Sequence, residues 1–392
     1  MGFVSTAIVA IMIAFALYGI VDLLILKEKH GVGKEFKKGI ELIGPLALAI
    51  VGIIALVPII AWVIEKTITP VYQLFGLDPS LAVTTFLAID MGGFQLANAV
   101  AQNADVGLWA GVVYGSMMGA TIVFSIPVGL ASIKKKDVTA FSRGILYGIA
   151  SIPFGTFVGG LIMGIPVLTL LVNLILPTVF SILIIVCLFF WSRGTIKVFT
   201  IFSKFINVIS LVGLGLAIVK DFVLVPLDGL GVFVLEDIPV FNILGSAFDG
   251  IEVAGAVGLV LAGALPFIFC INKWLKKPLS KLSNKIGFSE LGITGFLLSA
   301  ANNMATFAVL DEMKEREKII NTAFAVSAAF VIGDHLAFTA ANAPQVIVPM
   351  MVAKLFSGVI SIIIAAYFTR GITSQATTII EELVFLEGTG NE

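Results

Sequence analysis

Long apolar runs, broken by short polar stretches, recur along the whole chain. A helix needs about 20 apolar residues to cross the hydrocarbon core of a bilayer. Eleven segments reach that length: 3–26, 40–64, 79–101, 108–132, 140–165, 168–191, 198–220, 250–272, 288–311, 319–341 and 345–369. The first has no basic residue before it and no small-residue cleavage site, so it is expected to be a retained span rather than a signal peptide.

Charge in the intervening stretches tests the simplest topology. Basic loops should stay in the cytoplasm. Five are basic: 27–38, 133–143, 192–197, 273–285 and 312–318. Eleven strict crossings would put 133–143 and 273–285 outside, and the acidic stretch with Asp221, Asp228, Glu236 and Asp237 inside. One change removes every conflict: 79–101 and 288–311 dip into the membrane and return on the same side. Each arm then has about 10–11 residues, or roughly 16 Å of helix, which reaches the midplane. The expected tips suit a break, with Gly92 and Gly93 in one and Asn302 and Asn303 in the other. Irregular backbone is tolerated at that depth where it lines protein or water.

The expected fold is therefore all-α, a polytopic transmembrane bundle of about nine crossings plus two re-entrant helical hairpins. The N-terminus lies outside and the C-terminus inside. Segments 1–165 and 198–370 carry the same order of elements in opposite orientation, with 168–191 as a linker helix and 371–392 as a polar cytoplasmic tail. LAVTTF (Leu81–Phe86) against LGITGF (Leu291–Phe296) supports the repeat. Inverted repeats with interrupted helices meeting at the midplane are the build of secondary transporters and facilitators. All of 1–392 is read as one such domain.

Composition agrees. Hydrophobic residues make up 59% of the chain and charged ones only 12%, against about a quarter charged in soluble domains. Net charge is −1, which gives no reason to expect a nucleic-acid partner. Cys187 and Cys270 lie in apolar segments and are read as free thiols. There is no phosphate-binding loop, no His or Cys cluster and no haem pattern, so neither an enzyme, a cofactor nor a metal site is expected.

Against that apolar background the polar residues at bilayer depth stand out. VIGDHLAFTAAN (Val331–Asn342) carries Asp334 and His335 inside an apolar segment, and DMGGFQLAN (Asp90–Asn98) repeats its local order of Asp, Phe, Ala and Asn. A charge at bilayer depth costs roughly 2.5–3.5 kcal/mol on insertion scales, so it is rarely idle. Asp90 and Asp334 are candidate counter-ions to a cation; the competing reading is a vestibule carboxylate or an internal polar network. Gln95, Asn98, Asn302, Asn303 and Asn342 either line the same cavity or cap broken helix ends. Ser116, in the small-residue run Gly115–Pro127, either lines the cavity or permits close helix packing. Phe94 and Phe338 are candidate faces for a bound cation.

These residues also carry a resemblance. PLALAIVG (Pro45–Gly52), DMGGF (Asp90–Phe94), GSMMGATIVFSIPV (Gly115–Val128), ANNMATF (Ala301–Phe307) and INTAFAVSAAFVIGDHLAFTAAN (Ile320–Asn342) are similar to the ethanolamine permease family of bacterial ethanolamine-utilisation operons, EutH. The resemblance implies uptake of ethanolamine across the cytoplasmic membrane. On this basis the expected function is a permease for a small organic cation, with lipid and ethanolamine as its partners; a homo-oligomer is expected separately, from the paired hairpins, which suit one domain moving against a fixed oligomeric scaffold. Two readings compete with it: a sodium- or proton-coupled symporter of another small polar metabolite such as a nucleoside, and a ligand-binding membrane sensor.

Overall fold

The computed structural model describes residues 2–231 and 238–371, and these form helices and turns without a strand. The tail beyond 371 and the acidic residues Glu236 and Asp237 lie outside the described residues. Seven of the helices are long and apolar enough to cross a membrane.

The longest helix, Val167–Val219, runs through two expected spans and the basic stretch between them. It is not one rod. Trp191 leaves helical geometry (φ −144°, ψ 51°), and the ring of Phe86 lies 5.1 Å from Phe180 and 5.7 Å from Phe202. In a straight helix those two residues would stand about 33 Å apart at 1.5 Å per residue. The chain therefore reverses at Trp191, which leaves Arg193 and Lys197 beside the turn.

Two basic stretches read as loops are partly helical. Residues 273–285 continue the helix Ala247–Ile286, because lysine and leucine are good helix formers whatever their solvent preference. Within 27–38, a short helix, Val32–Glu41, begins where the Asp22 carboxylate accepts the His30 and Gly33 amides at 3.0 and 2.9 Å.

Segments 79–101 and 288–311 each fold as a helix–break–helix unit, a hairpin with a closed neck. The first has arms Ser80–Phe86 and Phe94–Val100. Between them Leu87 and Ala88 are extended, and Gly92 sits at φ 80°. A Cβ at Gly92 would also lie 2.0 Å from the Ile53 side chain, so this turn needs glycine twice over. Asp78 closes the neck: its carboxylate accepts the amides of Ser80, at the entry, and of Gln102 and Asn103, at the exit.

In the second unit the arms are Glu290–Ala301 and Asn303–Ala308, separated by extended Asn302. The Thr306 hydroxyl donates to the carbonyl of Gly295 and pairs with Ser299, which fixes the arms antiparallel. Here Glu317 closes the neck, accepting the Ser289 amide at 2.6 Å and the Lys314 amide at 3.3 Å.

One expectation fails. Segment 319–341 is not a continuous span: helix Glu315–Ala328 stops, Ala329–Gly333 is irregular, and a new helix runs Asp334–Asn342. The reason is tertiary. The Phe330 and Ile332 amides donate to the carbonyls of Ser299 and Ala300 at the tip of the second hairpin, so the freed backbone groups are satisfied by a neighbour. The segment 104–132 stays helical but winds wider over Ala110–Gly119 and Thr121–Ser125. Such π-helical stretches are frequent at functional sites. The core between these units holds Trp109, Tyr114, Phe141, Phe307 and Phe338, all fully buried.

Candidate functional site

Asp90 sits in the break of the first hairpin, and Asp334 opens the helix that follows the break at 329–333. Each is positioned by irregular backbone. A carboxylate at Asp334 also faces the unsatisfied amides of a helix start, where negative charge is favoured. Both keep accessible surface while their neighbours Ala88, Ile89, His335 and Leu336 are buried. The helix that Asp334 opens packs against the Asp90 break.

The hydropathy reading passed over one buried charged residue beside these segments. Lys354 is fully buried in helix Ile347–Phe368, which packs against the helix of Asp334. Its Nζ donates to the Ser116 carbonyl at 2.6 Å. The signal was available, since Lys354 is a lone lysine inside the apolar segment 345–369.

Of the expected ring pair, Phe94 meets Phe338 edge-on at 5.7 Å, which joins the first hairpin to the helix of Asp334. His335 is buried with its ring 4.8 Å from that of Phe330, and its Nδ1 has no hydrogen-bond partner. Both amide atoms of Gln95 are enclosed without a partner. An unpaired buried polar group costs about 1–3 kcal/mol, so such groups mark places where a polar ligand is accommodated.

The remaining candidates are used locally. The Asn98 and Asn342 amides donate to the carbonyls of Phe94 and Phe338, one turn back on their own helices. Asn302 caps the second arm by accepting the Met304 amide. Asn303 is buried and donates to Ser125, far away in sequence, leaving its Oδ1 unpaired. The Ser116 hydroxyl turns back to the Val113 carbonyl, so it is the backbone of Ser116, through Lys354, that reaches the centre.

A bundle of apolar helices with charged residues on broken helices at its centre defines a multi-pass membrane transporter. Comparison with known sequences makes this specific. The family model described as ethanolamine utilisation protein, EutH, matches residues 4–368. A Listeria monocytogenes protein named probable ethanolamine permease EutH is 42% identical over 94% of this chain and 95% of its own length. Its Salmonella typhimurium namesake is 39% identical over 86% of both chains. An uncharacterised Bacillus subtilis protein, YxeR, is 36% identical over 93% of this chain and 95% of its own. No solved structure matches the chain. This chain belongs to the EutH family.

Proposed function

We propose that this protein carries ethanolamine, as a monocation, across the cytoplasmic membrane, with Asp90 and Asp334 as counter-ions in the central site. The observation that carries the reading is the placement of these two carboxylates on broken helices that pack against each other, with both residues still accessible. Two relatives bear the name of an ethanolamine permease. Alkyl amines have a pKa near 10, so ethanolamine is almost wholly charged at pH 7 and crosses lipid poorly without a carrier. Phe94 and Gln95, on the arm that follows Asp90, offer a ring face and an unpaired amide for the ammonium and the hydroxyl.

We infer nine crossings with the N-terminus outside and the C-terminus inside. In favour of this count, the 63-residue apolar stretch 167–229 folds back on itself and serves twice, and both hairpins have their ends joined. An inverted repeat is favoured by a matched pair of backbone contacts. Gly119 packs on Leu87 at the end of one hairpin arm, and Gly333 packs on Ala301 at the end of the other. The same interval separates Leu87 from Ala301 and Gly119 from Gly333.

Uptake of labelled ethanolamine into liposomes holding the purified protein tests the function. The external pH must be low enough to suppress leakage of the neutral amine. Saturable flux above protein-free vesicles is the expected result, and its absence refutes the reading. Imposed sodium or proton gradients in the same vesicles test for coupling.

A further inference from the structure

The helix Val167–Val219 carries three charged residues, Arg193, Lys197 and Lys204, and no acid. All three lie on the limb that follows the reversal at Trp191, at positions i, i+4 and i+11. At about 100° per residue they share one stripe about 40° wide, and they span roughly 16 Å of helix. The same limb buries Thr195, Phe199, Ser203, Ile206 and Ser210. That face is held to the bundle by two hydroxyls: Ser203 donates to the Val123 carbonyl at 2.7 Å, and Ser210 to the Ala49 carbonyl at 3.0 Å. The basic stripe is centred about 140° round the helix from it, and all three of its residues are exposed. Ile201, Phe205 and Val208, exposed beside Lys204, are apolar, so the stripe runs down a lipid-facing surface. Among the described residues no ion pair involves Arg193, Lys197 or Lys204.

We infer that Arg193, Lys197 and Lys204 form a docking site for the headgroup of an anionic phospholipid, in the cytoplasmic leaflet of the topology inferred above. A cation in a polar loop is solvated by water, but a lysine three turns into a lipid-facing helix needs a partner. Side chains on a helix lean toward its N-terminus. Here that end is the turn at Trp191, so the Lys204 amine snorkels back toward Arg193 and Lys197. The turn itself presents exposed Phe189, Phe190 and Trp191, with the Trp191 ring laid against Gly194. Tryptophan gathers at the headgroup level of membrane spans, which sets the stripe just below that level. Basic clusters at this depth attract anionic lipids, whereas a zwitterionic headgroup also brings an ammonium that the three cations repel. A second copy of the chain fits this face poorly, because a two-fold contact would set the stripe against itself. The site does not depend on which substrate the protein carries.

The test places the full chain in nanodiscs of equal phosphatidylglycerol and phosphatidylcholine, then counts by native mass spectrometry the lipids that stay bound in mild detergent. Wild type should keep phosphatidylglycerol over phosphatidylcholine by at least about threefold. The triple variant Arg193→Gln, Lys197→Gln, Lys204→Gln should bring that ratio to about one. Lys204→Gln alone should at least halve it, and Lys204→Arg should hold it near wild type. Lys135→Gln with Lys136→Gln removes two charges from another basic loop and should also leave it near wild type. Equal retention of the two lipids by wild type would overturn the inference, with no variant needing to fold. So would an equal fall in the Lys135 and Lys136 control, which would mean that general surface charge holds the lipid. A wild-type ratio in Lys204→Gln would overturn it as well, since the two cations beside the turn would then suffice.

Discussion

The ring of Phe94 meets the ring of Phe338 edge-on, with 5.7 Å between centroids. The two residues come from segments far apart in sequence, one directly after the Asp90 break and the other one turn after Asp334. Their roles differ because their burial differs: Phe338 is fully enclosed, while Phe94 keeps accessible surface. Phe338→Ala should therefore act on stability, at the roughly 3–5 kcal/mol typical of a buried Phe→Ala change, read as a lower thermal midpoint in detergent. Phe94→Leu keeps a branched apolar side chain and removes the ring face. It should raise the KM for ethanolamine several-fold while the thermal midpoint stays near wild type. Unchanged KM in Phe94→Leu would place the ring outside the substrate path.

Asp90→Asn and Asp334→Asn should each reduce ethanolamine uptake tenfold or more, a loss of at least about 1.4 kcal/mol, at near-normal protein level. Glu252→Gln, at an exposed residue near a helix start, serves as the control and should have little effect. Normal transport by both Asn variants would remove the acidic site.

Ethanolamine has four heavy atoms, which sets a ceiling of about −6 kcal/mol at roughly −1.5 kcal/mol per atom. The apparent affinity should then be no tighter than about 40 µM, and a value between that and about 1 mM is expected. Ethylamine should compete less well, since it lacks the hydroxyl that would pair with a group such as Gln95. Choline should compete weakly, because its methyl groups block hydrogen bonds to a carboxylate. Equal competition by ethylamine would show that the hydroxyl is not recognised.

Single cysteines at Lys135, Lys277 and Lys314 should react with an impermeant reagent only from the cytoplasmic face, and one at Leu230 only from outside. The inferred topology puts every basic loop inside. Labelling of Lys135 or Lys277 from outside would rule it out.

Lys134 pairs with Asp311 and ties the exit of the second hairpin to the loop before helix Val138–Ile162. The lysine beside it holds the Asp311 carboxyl below the usual carboxylate range. A depressed carboxyl contributes stability that is present above its unfolded value, near 4, and is lost as pH falls through the lower folded value. The difference in thermal midpoint between wild type and Asp311→Asn should thus be constant from pH 5 to about pH 8 and vanish in stronger acid. It should be small, as for other exposed pairs. A difference that grows on acidification would contradict this sign.

What the sequence determined by itself was whatever depends on local composition. Twenty-residue apolar runs dictate membrane helices because lipid offers the backbone no other partners. Gly92 beside Asp90, and Asn302 with Asn303, mark the two hairpin tips because only certain residues tolerate or satisfy a break. The charges of Asp90 and Asp334 were legible because apolar surroundings make any charge conspicuous, and Lys354 was equally visible on that ground though it was passed over. Tertiary structure alone decided the rest. The break at 329–333 exists because the carbonyls of Ser299 and Ala300 receive the amides of Phe330 and Ile332, and no pattern within 319–341 encodes a partner some 30 residues away. Nor could spacing show that the amides of Asn98 and Asn342 would turn back on their own helices while Gln95 stayed unpaired. An amide side chain bonds whatever carbonyl comes within reach, and that is fixed by packing. The meeting of the Asp90 break with the helix of Asp334 is of the same kind, because segments far apart in sequence come together only when the bundle packs.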